Sequence, residues 1–165
     1  VDVFAFCDGR RNSHVSKTAT ESNYANYIKN YILNGNVDKW GGTDYAPVIN
    51  KNLGTFGFTK ARLFGGSELK KISKSGDPII VYFFTDGENS DKMETTKLFE
   101  KLEEAGTQIY FLFVGIGNMR FNYIEGLGER FDNVGFVSLK DLNKINDDTI
   151  YDELLPEELI KWLNV

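Results

Sequence analysis

Two long apolar segments separated by an amphipathic stretch constrain the fold of this chain more than any other feature. PIIVYFF (78–84) and QIYFLFVGIG (108–117) are nearly continuous runs of β-branched and aromatic residues, which is typical of strands covered on both faces. The stretch between them, SDKMETTKLFEKLEEAG, has one apolar helical face, formed by Leu98, Phe99, Leu102 and Ala105. A strand, a helix and a strand at this spacing form a βαβ unit, so the sequence predicts a parallel sheet with a right-handed crossover.

The boundaries of that helix and two further strands fit the same α/β pattern. Asp91 and Glu94 are spaced as a capping box at the start of the helix, and Gly106 is a stop signal. VDVFAF (1–6) and NVGFVSL (133–139) are predicted as strands. The polar segment RNSHVSKTAT is predicted as an exposed edge hairpin strand.

Three other segments complete the predicted domain. SNYANYIKNYIL is predicted as a helix whose apolar stripe packs in the core, and the stripe consists of Tyr24, Tyr27, Ile28, Tyr31 and Ile32. The tail DDTIYDELLPEELIKWLNV is predicted as two short helices split by Pro156, docked on the sheet through Leu159, Ile160, Trp162 and Leu163. Residues 54–77 are rich in glycine and lysine, and we expect an irregular excursion there.

The composition bounds the domain count and the classes of partner. With 165 residues, of which 41% are hydrophobic and 14% aromatic, the chain is expected to form one domain over residues 1–165. The net charge of −5 comes without a long basic or acidic block, so neither nucleic acid nor an anionic membrane is an expected partner. The single cysteine, Cys7, excludes an internal disulfide and is compatible with a cytoplasmic location.

Polar residues follow the predicted strands at the edge where open parallel sheets bind ligands. The three strand ends carry Cys7-Asp8-Gly9, Thr85-Asp86-Gly87-Glu88-Asn89 and Gly115-Ile116-Gly117. The first two contain an aspartate followed by a glycine, which lets the backbone turn sharply and lets a ligand approach closely. We therefore expect the functional site at this edge.

The stretch KWGGTDYAPVIN adds a hydroxyl to the predicted site. If Asp44 is the N-cap of a helix, Pro47 falls at the third helical position, where a backbone N–H would have no intrahelical partner anyway. Thr43 then lies just outside the helix, and Gly42 with the glycine before it lets the loop direct the Thr43 hydroxyl toward the sheet edge that holds Asp86. A hydroxyl and a carboxylate, completed by water, suit Mg²⁺ or Mn²⁺.

The order and spacing of these segments resemble a known family. GGTDYAPVI, then VYFFTDGENSD, then IYFLFVGIG are similar to the von Willebrand factor A (VWA) fold and, more narrowly, to the bacterial TerF-type VWA domains associated with tellurium resistance and stress response. The similarity covers nearly the whole chain apart from residues 54–77. It implies an α/β, three-layer Rossmann-like fold with a mainly parallel central sheet, one antiparallel edge strand and helices on both faces.

The resemblance also implies a metal-ion-dependent adhesion site (MIDAS), in which residues from three loops hold Mg²⁺ or Mn²⁺. Thr43 matches the second-loop threonine of the family and Asp86 matches its third-loop aspartate, so these two are the implied metal ligands. The residues implied to orient those ligands or to face the bound partner are Asp8, Gly42, Asp44, Thr85, Gly87 and Glu88.

The first loop of such a site carries an Asp-x-Ser-x-Ser motif, and no such motif occurs in the 165 residues. Family topology makes VDVFAF the second strand, so the expected first strand and first helix are absent from this chain. Omitting a central strand would leave two rows of backbone groups unpaired. We therefore expect a preceding segment in the native protein that carries both the strand and the motif.

The implied site is a binding device rather than an enzyme. A metal held by hydroxyls and few carboxylates keeps positive charge and an open position, at which it accepts an acidic side chain of a partner protein. Two other functions stay open: Asp8 and Asp86 could hold Mg²⁺ for phosphoryl transfer or hydrolysis, or a degenerate VWA scaffold could bind partners without metal. Thr43-Asp44 could also be only a helix start, and Asp86-Gly87 only a turn.

Overall fold

A computed structural model of the chain describes residues 1–7, 12–15, 17–35, 41–61, 67–141 and 144–164. The chain groups into two compact units, of which the first holds Val1–Asn52 with Asn89–Asp91 and the second holds Leu53–Glu88 with Lys92–Val165. Helices and strands are mixed along the chain, which confirms the predicted α/β class. None of the helices in this described part is both long enough and apolar enough to cross a bilayer.

The bounds of the elements are as follows. The strands are β1 (Phe4–Phe6), β2 (Asn12–His14), β3 (Thr59–Ala61), β4 (Ser67–Leu69), β5 (Ile79–Thr85), β6 (Ile109–Ile116) and β7 (Val134–Leu139). The α-helices are α1 (Ala46–Thr55), α2 (Lys92–Glu104), α3 (Asn122–Arg130), α4 (Asp147–Leu154) and α5 (Glu157–Leu163). A 3₁₀-helix at Tyr24–Asn26 and a π-helix at Ile28–Leu33 precede α1.

The first unit begins with an antiparallel hairpin of β1 and β2. Phe4 is paired with His14, and the Val15 amide extends the ladder to the Val3 carbonyl at 2.8 Å. The predicted hairpin strand in RNSHVSKTAT is therefore confirmed. Pairing between the two strands satisfies backbone groups of a segment whose sequence is too polar for a core.

The aromatic stripe of the first unit is only partly buried. Tyr27 is buried, whereas Tyr24 and Ile28 are 72% and 57% exposed, so the predicted burial is wrong for these two. The reason is the helix type, because the Asn34 amide donates to the carbonyl of Lys29, five residues earlier. Tyr24 lies in the 3₁₀-helix and Ile28 begins the π-helix, and neither helix type keeps the spacing of about 3.6 residues on which the predicted stripe depends.

The second unit contains a parallel sheet with the strand order β5–β6–β7. Ile79 pairs with Ile109 at one end of β5, and Thr85 pairs with Gly115 at the other. Helix α2 connects β5 to β6 in the chain, which confirms the predicted βαβ unit.

Strands β5 and β6 differ in burial because of their places in this sheet. Residues 109–115 of the middle strand β6 are all buried. In β5, Tyr82 and Phe84 are 37% and 48% exposed. The prediction of two covered faces is thus confirmed for β6 and wrong for β5, which has a strand on only one side among the described elements.

Helices pack on both faces of the parallel sheet. On one face, the Phe99 ring of α2 meets the rings of Phe111 and Phe113 edge-on, at centroid distances of 5.3 and 6.2 Å. On the other face, Leu159 of α5 is buried in one cluster with Tyr110. Because side chains alternate along β6, its odd-numbered residues face α2 and its even-numbered ones face α5.

The C-terminal tail and the excursion over residues 54–77 differ in part from the predictions. Leu159 and Trp162 pack on the sheet as predicted, but Ile160 and Leu163 are 47% and 43% exposed, because the seven-residue helix α5 turns only one side to the sheet. In the excursion, β3 and β4 pair antiparallel, so the predicted irregularity is wrong for these strands. Their backbone groups satisfy one another in a hairpin.

We expect Gly135→Ala to lower the free energy of unfolding by about 1–3 kcal/mol through overpacking. A Cβ at this position would lie 2.5 Å from the Tyr110 hydroxyl oxygen and 3.0 Å from Leu112 Cδ1, and both side chains are fully buried. Gly126→Ala in α3 is the matched control, since a Cβ there has no atom within 4 Å. Urea unfolding measures both variants, and equal stability of Gly135→Ala and wild type would contradict this packing.

Candidate functional site

The loop that contains Thr43 and Asp44 lies at the carboxyl end of β1. The Asp44 amide donates to the carbonyl of Cys7, the residue that directly follows β1, at 2.9 Å. The rings of Phe6 in β1 and Tyr45 meet edge-on with centroids 6.0 Å apart. Within the first unit, the loop therefore occupies the strand end at which the sequence predicts a site.

Ser90 holds this loop through backbone and side-chain contacts. The Ser90 amide donates to the Thr43 carbonyl at 2.8 Å. The Ser90 hydroxyl lies within hydrogen-bond distance of the same carbonyl, at 3.1 Å, and of Asp44 Oδ1, at 2.5 Å. The Thr43 carbonyl and the Asp44 carboxylate thus both have partners within the first unit.

The carboxylate of Asp91 accepts hydrogen bonds from the start of α1. The Tyr45 amide donates to Oδ1 at 3.0 Å and the Ala46 amide to Oδ2 at 2.8 Å, while Asn89 Nδ2 donates to Oδ1 at 2.5 Å. The predicted capping box of Asp91 with Glu94 is therefore wrong, since the Asp91 carboxylate is directed to another helix. Sequence reasoning missed this contact because the residues are 45 and 46 positions apart.

The start of α1 also differs from the sequence-based expectation. The helix begins at Ala46, so Pro47 is its second residue rather than its third. The carboxylate found on the first amides is that of Asp91, and Asp44 contacts Ser90 instead. Pro47 has no N–H and so leaves no donor unsatisfied at this helix end.

The side chain of Thr43 differs from its backbone in hydrogen bonding. It is half-buried, and its hydroxyl makes no hydrogen bond with any residue that the structure describes. The backbone of this residue is held while its side chain stays available. Such a hydroxyl fits the ligand role that the sequence predicts for Thr43.

In the turn after β5, one hydroxyl is hydrogen-bonded within the turn and one carboxylate is exposed. Thr85 is buried, and its hydroxyl donates to the Gly87 carbonyl at 2.8 Å. Asp86 is exposed, and its carboxylate has no hydrogen bond or ion pair with the described residues. The carboxylate is therefore available to an external ligand.

Glu88 binds the start of α3 and a lysine. Its Oε1 accepts from the Tyr123 amide at 2.8 Å, and its Oε2 forms an ion pair with Lys92. The Lys92 ammonium also lies 5.4 Å from the centre of the Tyr123 ring. The hydrogen bond from Lys92, followed by that from the Tyr123 amide, lowers the pKa of the Glu88 carboxyl from its ordinary value.

The predicted site residues fall into different parts of the chain. Gly42, Thr43 and Asp44 belong to the first unit, and residues 85–88 belong to the second. Asp8 lies outside the described residues. No group of three or more His, Cys, Asp or Glu side chains in the described ranges could hold a metal ion. That Thr43 and Asp86 share an ion stays a prediction.

Comparison with known proteins identifies the family. The family model for the vWA domain found in the TerF C terminus matches residues 1–165. The chain belongs to the vWA-TerF-like family. It is also 28% identical over 148 residues to a Bacillus subtilis (strain 168) protein described as "Uncharacterized protein YcbR".

The extent of this second match differs between the two proteins. The aligned region covers 86% of this vWA-TerF-like chain but 53% of the Bacillus subtilis protein. The chain thus spans about half the length of the curated relative that it matches. The resemblance to TerF-type VWA domains, expected from GGTD and TDG in their strand context, is confirmed by the family match.

The lowered pKa of Glu88 makes its contribution to stability depend on pH. That contribution is complete above the ordinary value of 4.5 and is lost as the pH falls through the lower folded-state value. We therefore expect Glu88→Gln to be less stable than wild type near neutral pH, by about 0.3–1 kcal/mol for a charge at a helix N-terminus. Urea unfolding at a series of pH values measures the difference, which should shrink in acid; a difference independent of pH would contradict it.

Proposed function

We propose that this vWA-TerF-like domain binds Mg²⁺ or Mn²⁺ through Thr43 and Asp86 and uses the ion to bind a protein partner. The observation that carries the proposal is the contrast between these two side chains and the polar groups around them. Asp44, Glu88 and Asp91 all contact other residues, whereas the Thr43 hydroxyl and the Asp86 carboxylate are unpaired within the described chain.

The donor set supports a recognition role rather than a closed structural metal site. One hydroxyl and one carboxylate are hard oxygen ligands, which suit Mg²⁺ and Mn²⁺. When bound, such an ion would supply positive charge and an open coordination position to an acidic side chain of the partner. Thr43 and Asp86 would hold the ion, and Asp44, Thr85 and Gly87 would keep their loops in place.

The finer fold and the biological setting are also part of the proposal. Parallel pairing of β5, β6 and β7, helices on both faces of that sheet and the family match support a three-layer Rossmann-like domain with one antiparallel edge strand. Family membership supports a bacterial, cytoplasmic protein of the tellurium-resistance or stress-response kind, and a domain that binds rather than catalyses.

Calorimetric titration with Mg²⁺ and Mn²⁺ tests the metal ligands. The protein titrated is the one expressed from its natural reading frame. We expect Thr43→Val and Asp86→Asn each to weaken binding by at least about tenfold, because the first removes an oxygen ligand and the second removes the negative charge of the carboxylate, and removal of outer partners alone costs about 10–100-fold. Thr18→Val and Asp132→Asn, at exposed positions, are the matched controls and should bind like wild type.

The outcomes separate the proposal from its alternatives. Absence of cation binding by wild type, or equal binding by all four variants, would exclude Thr43 and Asp86 as ligands. Hydrolysis of p-nitrophenyl phosphate that requires Mg²⁺ and is lost in Asp86→Asn would favour the enzyme. Partner binding that is unchanged by a chelator would favour the metal-free scaffold.

A further inference from the structure

We propose that Ser90 and Asp91 form a latch that sets the position of the Thr43 hydroxyl before a cation binds. This Ser90–Asp91 latch consists of two positioning residues, neither of which is a predicted metal ligand. The inference rests on the proposed cation site and adds the residues that organise it. All of its contacts lie within the first unit.

The first part of the latch fixes one peptide plane. The peptide that joins Thr43 to Asp44 has its carbonyl oxygen on the Ser90 amide at 2.8 Å and its N–H on the Cys7 carbonyl at 2.9 Å. Because a peptide unit is planar and rigid, two hydrogen bonds at opposite edges fix its orientation. The Cα of Thr43 lies in this plane and is then held, so its hydroxyl reaches only the positions allowed by rotation about the Cα–C bond and by the staggered rotamers of the side chain.

The second part of the latch fixes the residues that follow. The two carboxylate oxygens of Asp91 accept from two successive amides, those of Tyr45 and Ala46, at 3.0 and 2.8 Å. A negative charge at the N-terminus of the ten-residue helix α1 is stabilised by the helix dipole. The Thr43 loop therefore cannot shift along the axis of α1 without breaking charge-assisted hydrogen bonds.

The same contacts decide which groups stay available. Asp91 accepts from the Tyr45 and Ala46 amides, and Pro47 has no N–H, so none of these three positions at the helix start offers a free amide to a ligand. Neither Ser90 nor Asp91 makes a hydrogen bond with the Thr43 hydroxyl. The latch thus orients the hydroxyl through the backbone and leaves it free to bind an ion.

The test compares the latch with an ordinary helix cap. The variants are Asp91→Ala, Asp91→Asn and Ser90→Ala in the protein expressed from its natural reading frame. Asn146→Ala is the matched control, because the Asn146 side chain accepts from the Thr149 amide at 2.8 Å at the start of α4 and so caps a helix in the second unit. Mg²⁺ affinity is measured by calorimetry, amide exchange by NMR, and the unfolding midpoint in urea.

For Asp91→Ala we expect exchange of the Tyr45 and Ala46 amides to speed up and Mg²⁺ affinity to fall by at least about tenfold, as for other outer partners of metal sites. Asp91→Asn keeps one carbonyl oxygen as acceptor and should recover part of the affinity. Ser90→Ala keeps the amide that donates to the Thr43 carbonyl and removes only the hydroxyl contacts with that carbonyl and with Asp44, so it should weaken Mg²⁺ binding less than Asp91→Ala and leave the unfolding midpoint nearly unchanged. Asn146→Ala should lower the midpoint and leave the Mg²⁺ affinity within about twofold, since its cap lies in the second unit.

Two results would overturn the latch while the cation site stands. One is wild-type Mg²⁺ affinity in both Asp91→Ala and Ser90→Ala. The other is an equal loss of affinity in Asn146→Ala, which would mean that affinity follows stability alone. If wild type itself binds no Mg²⁺, the proposed cation site fails, and the positioning role fails with it.

Discussion

Strand β6 is buried on both faces and paired on both edges, and the second unit is organised around it. Its side chains require apolar cover on both sides of the sheet, which α2 supplies through Phe99 and α5 through Leu159. The burial is tight enough to leave the Tyr110 hydroxyl without a hydrogen bond in the described structure, and burial followed by the nearby Glu158 raises the pKa of Tyr110 to about 12. Gly135 in β7 makes room for that hydroxyl.

In the loop that follows β5, hydrogen bonds from helix starts determine which carboxylates remain available to a ligand. Glu88 accepts from an amide at the start of α3, and Asp91 accepts from two amides at the start of α1. Each carboxylate satisfies donors that a helix cannot satisfy internally. Asp86 has no such partner among the described residues and is exposed. Three acidic side chains within one short segment therefore differ in their availability to a ligand, because two of them accept hydrogen bonds from helix amides and the third does not.

Much of the second unit could be predicted from sequence because its elements are continuous and strongly patterned. The apolar runs of β5 and β6 and the periodic face of α2 each lie within one window, so local rules suffice. The β3–β4 pair was missed because its strands are three residues long and polar. The site was partly predictable: GGTD and TDG point to Thr43 and Asp86, but the contact of Asp91 with Ala46 joins residues far apart in the chain. No local pattern predicts such a contact.

The claim that Thr43 and Asp86 serve one ion is tested most directly by paramagnetic Mn²⁺ in NMR, since Mn²⁺ broadens the signals of nuclei close to it. Mn²⁺ is added well below stoichiometry to the labelled protein expressed from its natural reading frame. We expect the amide signals of Thr43, Asp44, Asp86 and Gly87 to broaden together at the lowest additions, while that of Asp132 stays sharp. Broadening confined to one of the two loops, or spread over the acidic surface, would contradict a shared cation site.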